Sequence, residues 1–148
     1  MKIIGQLIKL KGNQVWSIEP DASVFDALRL MAEKNIGALL VISGEQVVGV
    51  LSERDYARKV ILVGRSSKET LVRDIMSYRV IFARTDETIE DCLAVMTKNH
   101  VRHLPVFDDD DQLVGVVSIG DLVNAIINTQ KHLIQKLENY IIQNQSIT

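Results

Sequence analysis

The chain has 148 residues, 47% hydrophobic and 24% charged, with a formal net charge of −2. That is ample material for a core in one domain or two small halves, and it lacks the cationic excess that nucleic acid attracts. The single Cys92 excludes an internal disulfide and fits a reducing compartment. No apolar run reaches the roughly 18 residues of a membrane span, and the lysines interleaved through MKIIGQLIKLKGNQ argue against a signal peptide. The expected location is therefore cytoplasmic.

After an N-terminal segment (1–14), VWSI at 15–18 is the first expected strand. Asp21 and Ser23 are candidate N-caps, because their side-chain oxygens can accept from the free amides of a first helical turn. Val24, Leu28 and Met31, with Ala27 and Ala32, then keep a helical stripe. ALLVI (38–42) and VVGVLS (47–52) flank a short polar turn and predict a β-hairpin. A second helix carrying Tyr56, Val60 and Ile61 starts at the end of GVLSERD (49–55). RSSKETLVRDIM (65–76) reads as a linker in which Ser66 and Glu69 have capping-box spacing.

The same order then returns. VIFA (80–83) is the strand, Asp86 or Thr88 the cap, and Ile89, Cys92, Leu93 and Met96 the stripe. HLPVF (103–107) and LVGVVS (113–118) are the hairpin, and Leu122, Ile126 and Ile127 belong to the second helix after GVVSIGD (115–121). Asp21, Asp26, Leu28 and Met31 recur as Asp86, Asp91, Leu93 and Met96 at an offset of 65 (86 less 21), whereas Gly49 and Asp55 recur at 66 as Gly115 and Asp121. One residue must be added between these blocks, and the turn is the expected place. The tail to residue 143, with Leu133, Ile134, Leu137, Tyr140 and Ile141, predicts a long helix that either folds back or packs on a second chain. The expected fold is α+β: two pseudo-twofold-related repeats (15–64 and 80–128), each strand-helix-strand-strand-helix, packed sheet to sheet. A linker at 65–79 joins them and a helical extension occupies 129–148.

The duplicated order, the HLPV phrase before the second hairpin and the Gly-Val-Val-Ser-x-x-Asp phrase after it resemble a cystathionine-β-synthase (CBS) domain pair, the Bateman module, over residues 13–128. SERDYARKV (52–60) and RDIM (73–76) resemble stand-alone pairs, with no catalytic or transport domain in this stretch. The resemblance implies a regulatory, non-enzymatic sensor of AMP, ATP, NAD or S-adenosylmethionine. It further implies ligand clefts between the repeats and association of two pairs into a homodimer that signals through its own rearrangement or through a regulated protein partner. No required cofactor, metal or nucleic acid is implied.

A carboxylate can accept hydrogen bonds from both vicinal hydroxyls of a ribose. By the resemblance, Asp121 and Ser118 hold the ribose, with Asp55 and Ser52 as the pseudo-symmetric pair. Ser-x-x-Asp is also close to a capping box, so each pair is equally read as a helix start. Phosphate needs cations or free amides. Arg102 and His103 occupy positions that reach phosphate in the resembling γ subunit of AMP-activated protein kinase, whereas the first repeat has Gly37 and Ala38 there. This asymmetry favours the second copy and phosphorylated ligands, AMP or NAD, over S-adenosylmethionine. Arg54 and Arg58, four apart on one expected helix face, either reach phosphate or form a solvated face. The resemblance also implies an adenine pocket at Val15, Trp16, Ser17 and Leu104, with Trp16 alternatively an ordinary packing aromatic.

Asp108 to Asp111 lack the alternating ligand spacing of a calcium loop and read as a solvated turn. Cys92 falls on an apolar helix position, and neither His100 nor His132 has a second ligand at metal spacing. No nucleophile–base pair, metal set or hydride-transfer fingerprint indicates an enzyme. The alternative to a sensor is a ligand-independent interaction scaffold with vestigial clefts.

Overall fold

The computed structural model of the chain describes residues 2–12 and 14–147. It contains two three-stranded sheets and six α-helices in an α+β arrangement, and the chain divides into two compact units. One unit is contiguous, residues 14–81; the other joins residues 2–12 to residues 82–147. Among the described residues, no helix is long and apolar enough to cross a membrane.

In the contiguous unit β1 (Ser17–Ile18) runs parallel to β2 (Ala38–Ser43), which pairs antiparallel with β3 (Gln46–Ser52). In the other, β4 (Ala83–Arg84), β5 (His103–Phe107) and β6 (Leu113–Ser118) repeat the order β4-β5-β6. Both first strands are two residues long, so Val15 and Trp16 precede the strand in which they were expected, and the VIFA strand shifts to Ala83–Arg84. Ile42 pairs with Val47 and Phe107 with Leu113, which puts the one extra residue of the second copy in the hairpin turn as expected. The acidic turn is organised by one of its own side chains: Asp108 Oδ1 accepts from the amides of Asp110 and Gln112, both at 2.9 Å.

Helices α2 (Val24–Lys34) and α5 (Ile89–Asn99) are built alike. Ser23 and Thr88 are the N-caps, each accepting from an amide three residues on at 3.0 Å. Val24, Ala27 and Met31 face one core, and Ile89, Cys92 and Met96 the other. Both helices stop on a left-handed residue, Asn35 and His100, each at φ 55°. Asp21 does not cap; its carboxylate pairs with Arg73.

The second helices differ. In the first repeat α3 (Glu53–Tyr56) passes into a π-helical turn, Ala57–Ile61, and ends. In the second, α6 (Ile119–Ile147) runs for 29 residues, about 43 Å at 1.5 Å per residue. Leu122 and Ala125 are buried, but residues 127–144 are exposed throughout, so the described tail does not fold back on the chain. The expected capping box at Ser66 and Glu69 is absent: the Ser66 carbonyl accepts from the Glu69 amide in a turn, and α4 (Val72–Ile75) begins later, with Leu71 at its N-cap position.

Each sheet is covered by a short helix taken from the segment that precedes the other repeat. Helix α4 lies in the contiguous unit, with Val72, Ile75 and Met76 in its core. Helix α1 (Ile4–Lys11) lies with the second repeat, burying Ile4, Leu7 and Ile8. The docking bonds correspond one to one. The Val72 and Arg73 amides donate to Ala22 and Pro20 carbonyls, and the Ile4 and Gly5 amides donate to Glu87 and Thr85 carbonyls. The glycines that lead the two repeated phrases receive these helices. A Cβ on Gly49 would lie 2.7 Å from Met76 Sδ and 2.8 Å from the Ser77 carbonyl oxygen; on Gly115 it would lie 2.8 Å from Ile8 Cδ1. Close approach, not a turn, requires glycine at both positions.

Candidate functional site

Both repeated Ser-x-x-Asp phrases form reciprocal capping boxes. Ser118 Oγ accepts from the Asp121 amide at 3.0 Å, and Asp121 Oδ2 accepts from the Ser118 amide at 2.8 Å. Ser52 and Asp55 do the same at 3.2 and 3.0 Å, and the Ser52 hydroxyl also donates to Asp55 Oδ2. The capping reading is therefore correct for both copies, and it fixes each carboxylate at a strand-to-helix junction.

In the second repeat, β5 and β6 bring the predicted phosphate and ribose residues to one place. His103 and Ser118 are cross-strand partners, and the Arg102 carbonyl accepts from the Ile119 amide at 2.9 Å. Asp121 follows within the first turn of α6. Arg102 is exposed and His103 half-buried. The first repeat has the same scaffold, with Ala38 opposite Ser52 and the Gly37 carbonyl accepting from the Glu53 amide, but neither position there carries a cation.

Sequence reading missed Lys11. The last residue of α1 reaches back to place its Nζ 2.5 Å from Asp121 Oδ2 and 2.8 Å from the Val116 carbonyl oxygen. Its partner lies 110 residues away, beyond any local pattern. In the first repeat Val50 corresponds to Val116, and its carbonyl instead accepts from the Ser77 amide at 2.9 Å. There Asp55 has its own helix's Lys59, 3.3 Å away, which also donates to the Ile75 carbonyl. The usable sequence signal was the likeness of the segments before the two repeats, IGQLIKLK and VRDIMSYR.

Burial alone would raise the Asp121 carboxyl, but the Lys11 hydrogen bond, the Ser118 amide, the Lys11 charge and the Ser118 hydroxyl together hold it below the ordinary carboxylate range. Burial lowers His103; the Lys11 and Arg102 charges push the same way, and Asp121 opposes them. Cys92 is pushed up to about 12, first by burial and then by Glu87 and Asp91, so the thiolate nucleophile is suppressed.

The remaining predicted residues lie on other elements. Leu104 has no exposed surface and is core, as is its counterpart Leu39, so its side chain offers no open adenine wall. Trp16 packs against the core of the contiguous unit with Lys34 Nζ 4.2 Å from its ring centroid, so one face is already taken. Val15 is half-buried beside it, and Ser17 is exposed and pairs with Leu40. Arg54 and Arg58 are both exposed, Arg54 in α3 and Arg58 in the π-helical turn that continues it. Among the described residues, no three His, Cys, Asp or Glu side chains gather at a metal-binding distance.

The family model of the CBS domain matches residues 11–62 and 72–128. This chain belongs to the CBS-domain family, with two copies of the domain. It is 40% identical over 135 residues to the mitochondrial CBS domain-containing protein CBSX3 of Arabidopsis thaliana, a match covering 88% of this chain and 65% of the relative, so it spans less than two thirds of that protein. A CBS-domain protein from Burkholderia ambifaria MC40-6 superposes with a TM-score of 0.82 at 44% identity, covering 86% of this chain and 96% of the other. The CBS domain pair of protein MJ0100, solved with 5'-methylthioadenosine and S-adenosyl-L-methionine, shares the fold at a TM-score of 0.72 and 21% identity, over 86% of this chain and 97% of that one.

Proposed function

We propose that this chain is a non-enzymatic, cytoplasmic regulatory module that senses an adenine nucleotide, AMP, ATP or NAD, through its second repeat. The observation that carries the reading is the junction where His103 faces Ser118 across the hairpin and Arg102 is bonded to the start of the helix bearing Asp121. A ribose needs a carboxylate fixed in position, and a phosphate needs cations beside it. Membership of a family in which the MJ0100 pair holds adenosyl compounds supports the ligand class, and Arg102 and His103 favour a phosphorylated member of it. Ligand binding shifts the module between states only as far as it binds them differently, and a homodimer or a protein partner reads the shift.

Calorimetry of the chain with AMP, ATP, NAD and S-adenosylmethionine tests this reading. We expect saturable binding, strongest with a phosphorylated ligand and lost in Asp121→Ala. No saturable binding by any of the four overturns it. A second reading, a ligand-independent scaffold, is favoured by the exposed apolar residues Leu133, Ile134, Leu137, Tyr140 and Ile141 along α6. It expects self-association or partner binding that neither nucleotide nor Asp121→Ala alters.

A further inference from the structure

We propose that Lys11 is a specificity-determining residue of the second-repeat site, selecting ligands that bring an anionic group and disfavouring neutral or cationic adenosyl compounds. The inference rests on the nucleotide reading above and adds a residue, and a direction of selectivity, to it.

Lys11 already makes the interaction that a ribose would need. Its ammonium donates to Asp121 Oδ2, the same carboxylate oxygen that accepts from the Ser118 amide. A ligand whose hydroxyls take this carboxylate competes with the ammonium. The side chains are 37% and 27% exposed, so the pair is partly solvated and can be exchanged. Its second hydrogen bond, to the Val116 carbonyl, keeps the ammonium at the site while the carboxylate changes partners.

What the ligand brings then decides the balance. With adenosine, the ammonium loses its anion and gains nothing. With a phosphorylated ligand, a new anion arrives beside Lys11, Arg102 and His103, and the ammonium exchanges one charge-assisted bond for another. With a sulfonium ligand, the ammonium loses its partner and faces a like charge. Discrimination of this kind combines an attraction to one ligand with a penalty against its competitor. The first repeat cannot discriminate in the same way. Its lysine, Lys59, comes from the motif's own helix, and the carbonyl corresponding to Val116 is tied to a backbone amide.

The test is the ratio of dissociation constants, adenosine over AMP, in the wild type, Lys11→Met and Lys11→Arg, by calorimetry on the full chain. Met keeps the apolar stem that leaves the end of α1, so Lys11→Met should stay folded; Lys11→Gln is a second uncharged variant. In Lys11→Met we expect adenosine to bind about two- to fivefold tighter and AMP about two- to fivefold weaker, the scale of a partly screened ion pair. The ratio then falls roughly tenfold, while Lys11→Arg keeps it near wild type. An unchanged ratio with both ligands still bound overturns the inference and leaves the nucleotide reading standing, as does an equal tightening of both ligands. Absence of saturable binding of AMP, ATP, NAD and adenosine by the wild type and the variants alike removes the nucleotide reading and this inference with it.

Discussion

Asp121 does two things at once, and pH separates them from the rest of the fold. Its carboxyl is held below its ordinary value of 3.8, so the stability it adds is present above that value and is lost as pH falls through the lowered one. His103 is lowered from 6.5, chiefly by burial, so the unfolded chain takes up its proton first. The stability from keeping His103 neutral is present above pH 6.5 and is lost as pH falls from there towards the folded value. Urea midpoints measured at intervals from pH 8 to 3 should therefore show a decline starting below about pH 6.5 that His103→Gln abolishes, and a later one below about pH 4 that Asp121→Asn abolishes. A wild-type curve flat from pH 7 to 5 would contradict the first assignment.

Among the elements, the glycines of GVLSERD and GVVSIGD provide the sharpest comparison. In Gly49→Ala the new methyl meets the Ser77 carbonyl oxygen as well as Met76, and backbone cannot move aside. We expect a loss of about 1–3 kcal/mol. In Gly115→Ala the contact inside 3 Å is the tip of Ile8, which can rotate, so the loss should be smaller, under about 1.5 kcal/mol. Denaturant midpoints of the two variants decide it, and a larger loss at Gly115 would show that α1 is seated more rigidly than its counterpart. The regular elements were legible because their periods are strong. The two hairpins, the two capped helices and the extra turn residue all followed from apolar spacing and cap chemistry. The π-helical turn and the late start of α4 had no such signal, since the apolar spacing around Val60 and Ile61 suits a regular helix and Ser66-x-x-Glu69 imitates a cap. At the junction, Ser118 and Asp121 stood out from the repeat, whereas Arg102 and His103 stood out only from the resemblance, since the first repeat has Gly37 and Ala38 there. Lys11 was not, because its contact depends on α1 docking far along the chain.

Across the molecule, the exchange of covering helices means that the chain cannot be cut at the obvious linker without cost. Removing residues 1–12 takes away Ile4, Leu7 and Ile8 from the core of the second repeat and uncovers Gly115. Hydrogen exchange on the truncated chain should then show faster exchange in β5 and β6, with β2 and β3 almost unchanged. Equal loss of protection in both hairpins would mean that the two units do not unfold independently. The same exchange sets an order of assembly. Residues 14–81 are contiguous and include the helix whose Val72 and Ile75 complete their core, so the contacts within that unit are all available once this stretch has left the ribosome. The other unit is interrupted by it: α1 is made first and must wait for β4, β5 and β6, closing a loop of some seventy residues. Contacts of such long sequence separation form slowly. The slow step in folding should be the return of the N-terminal helix, and the strand-to-helix junction where Lys11 meets Asp121 would be the last part of the chain to be finished.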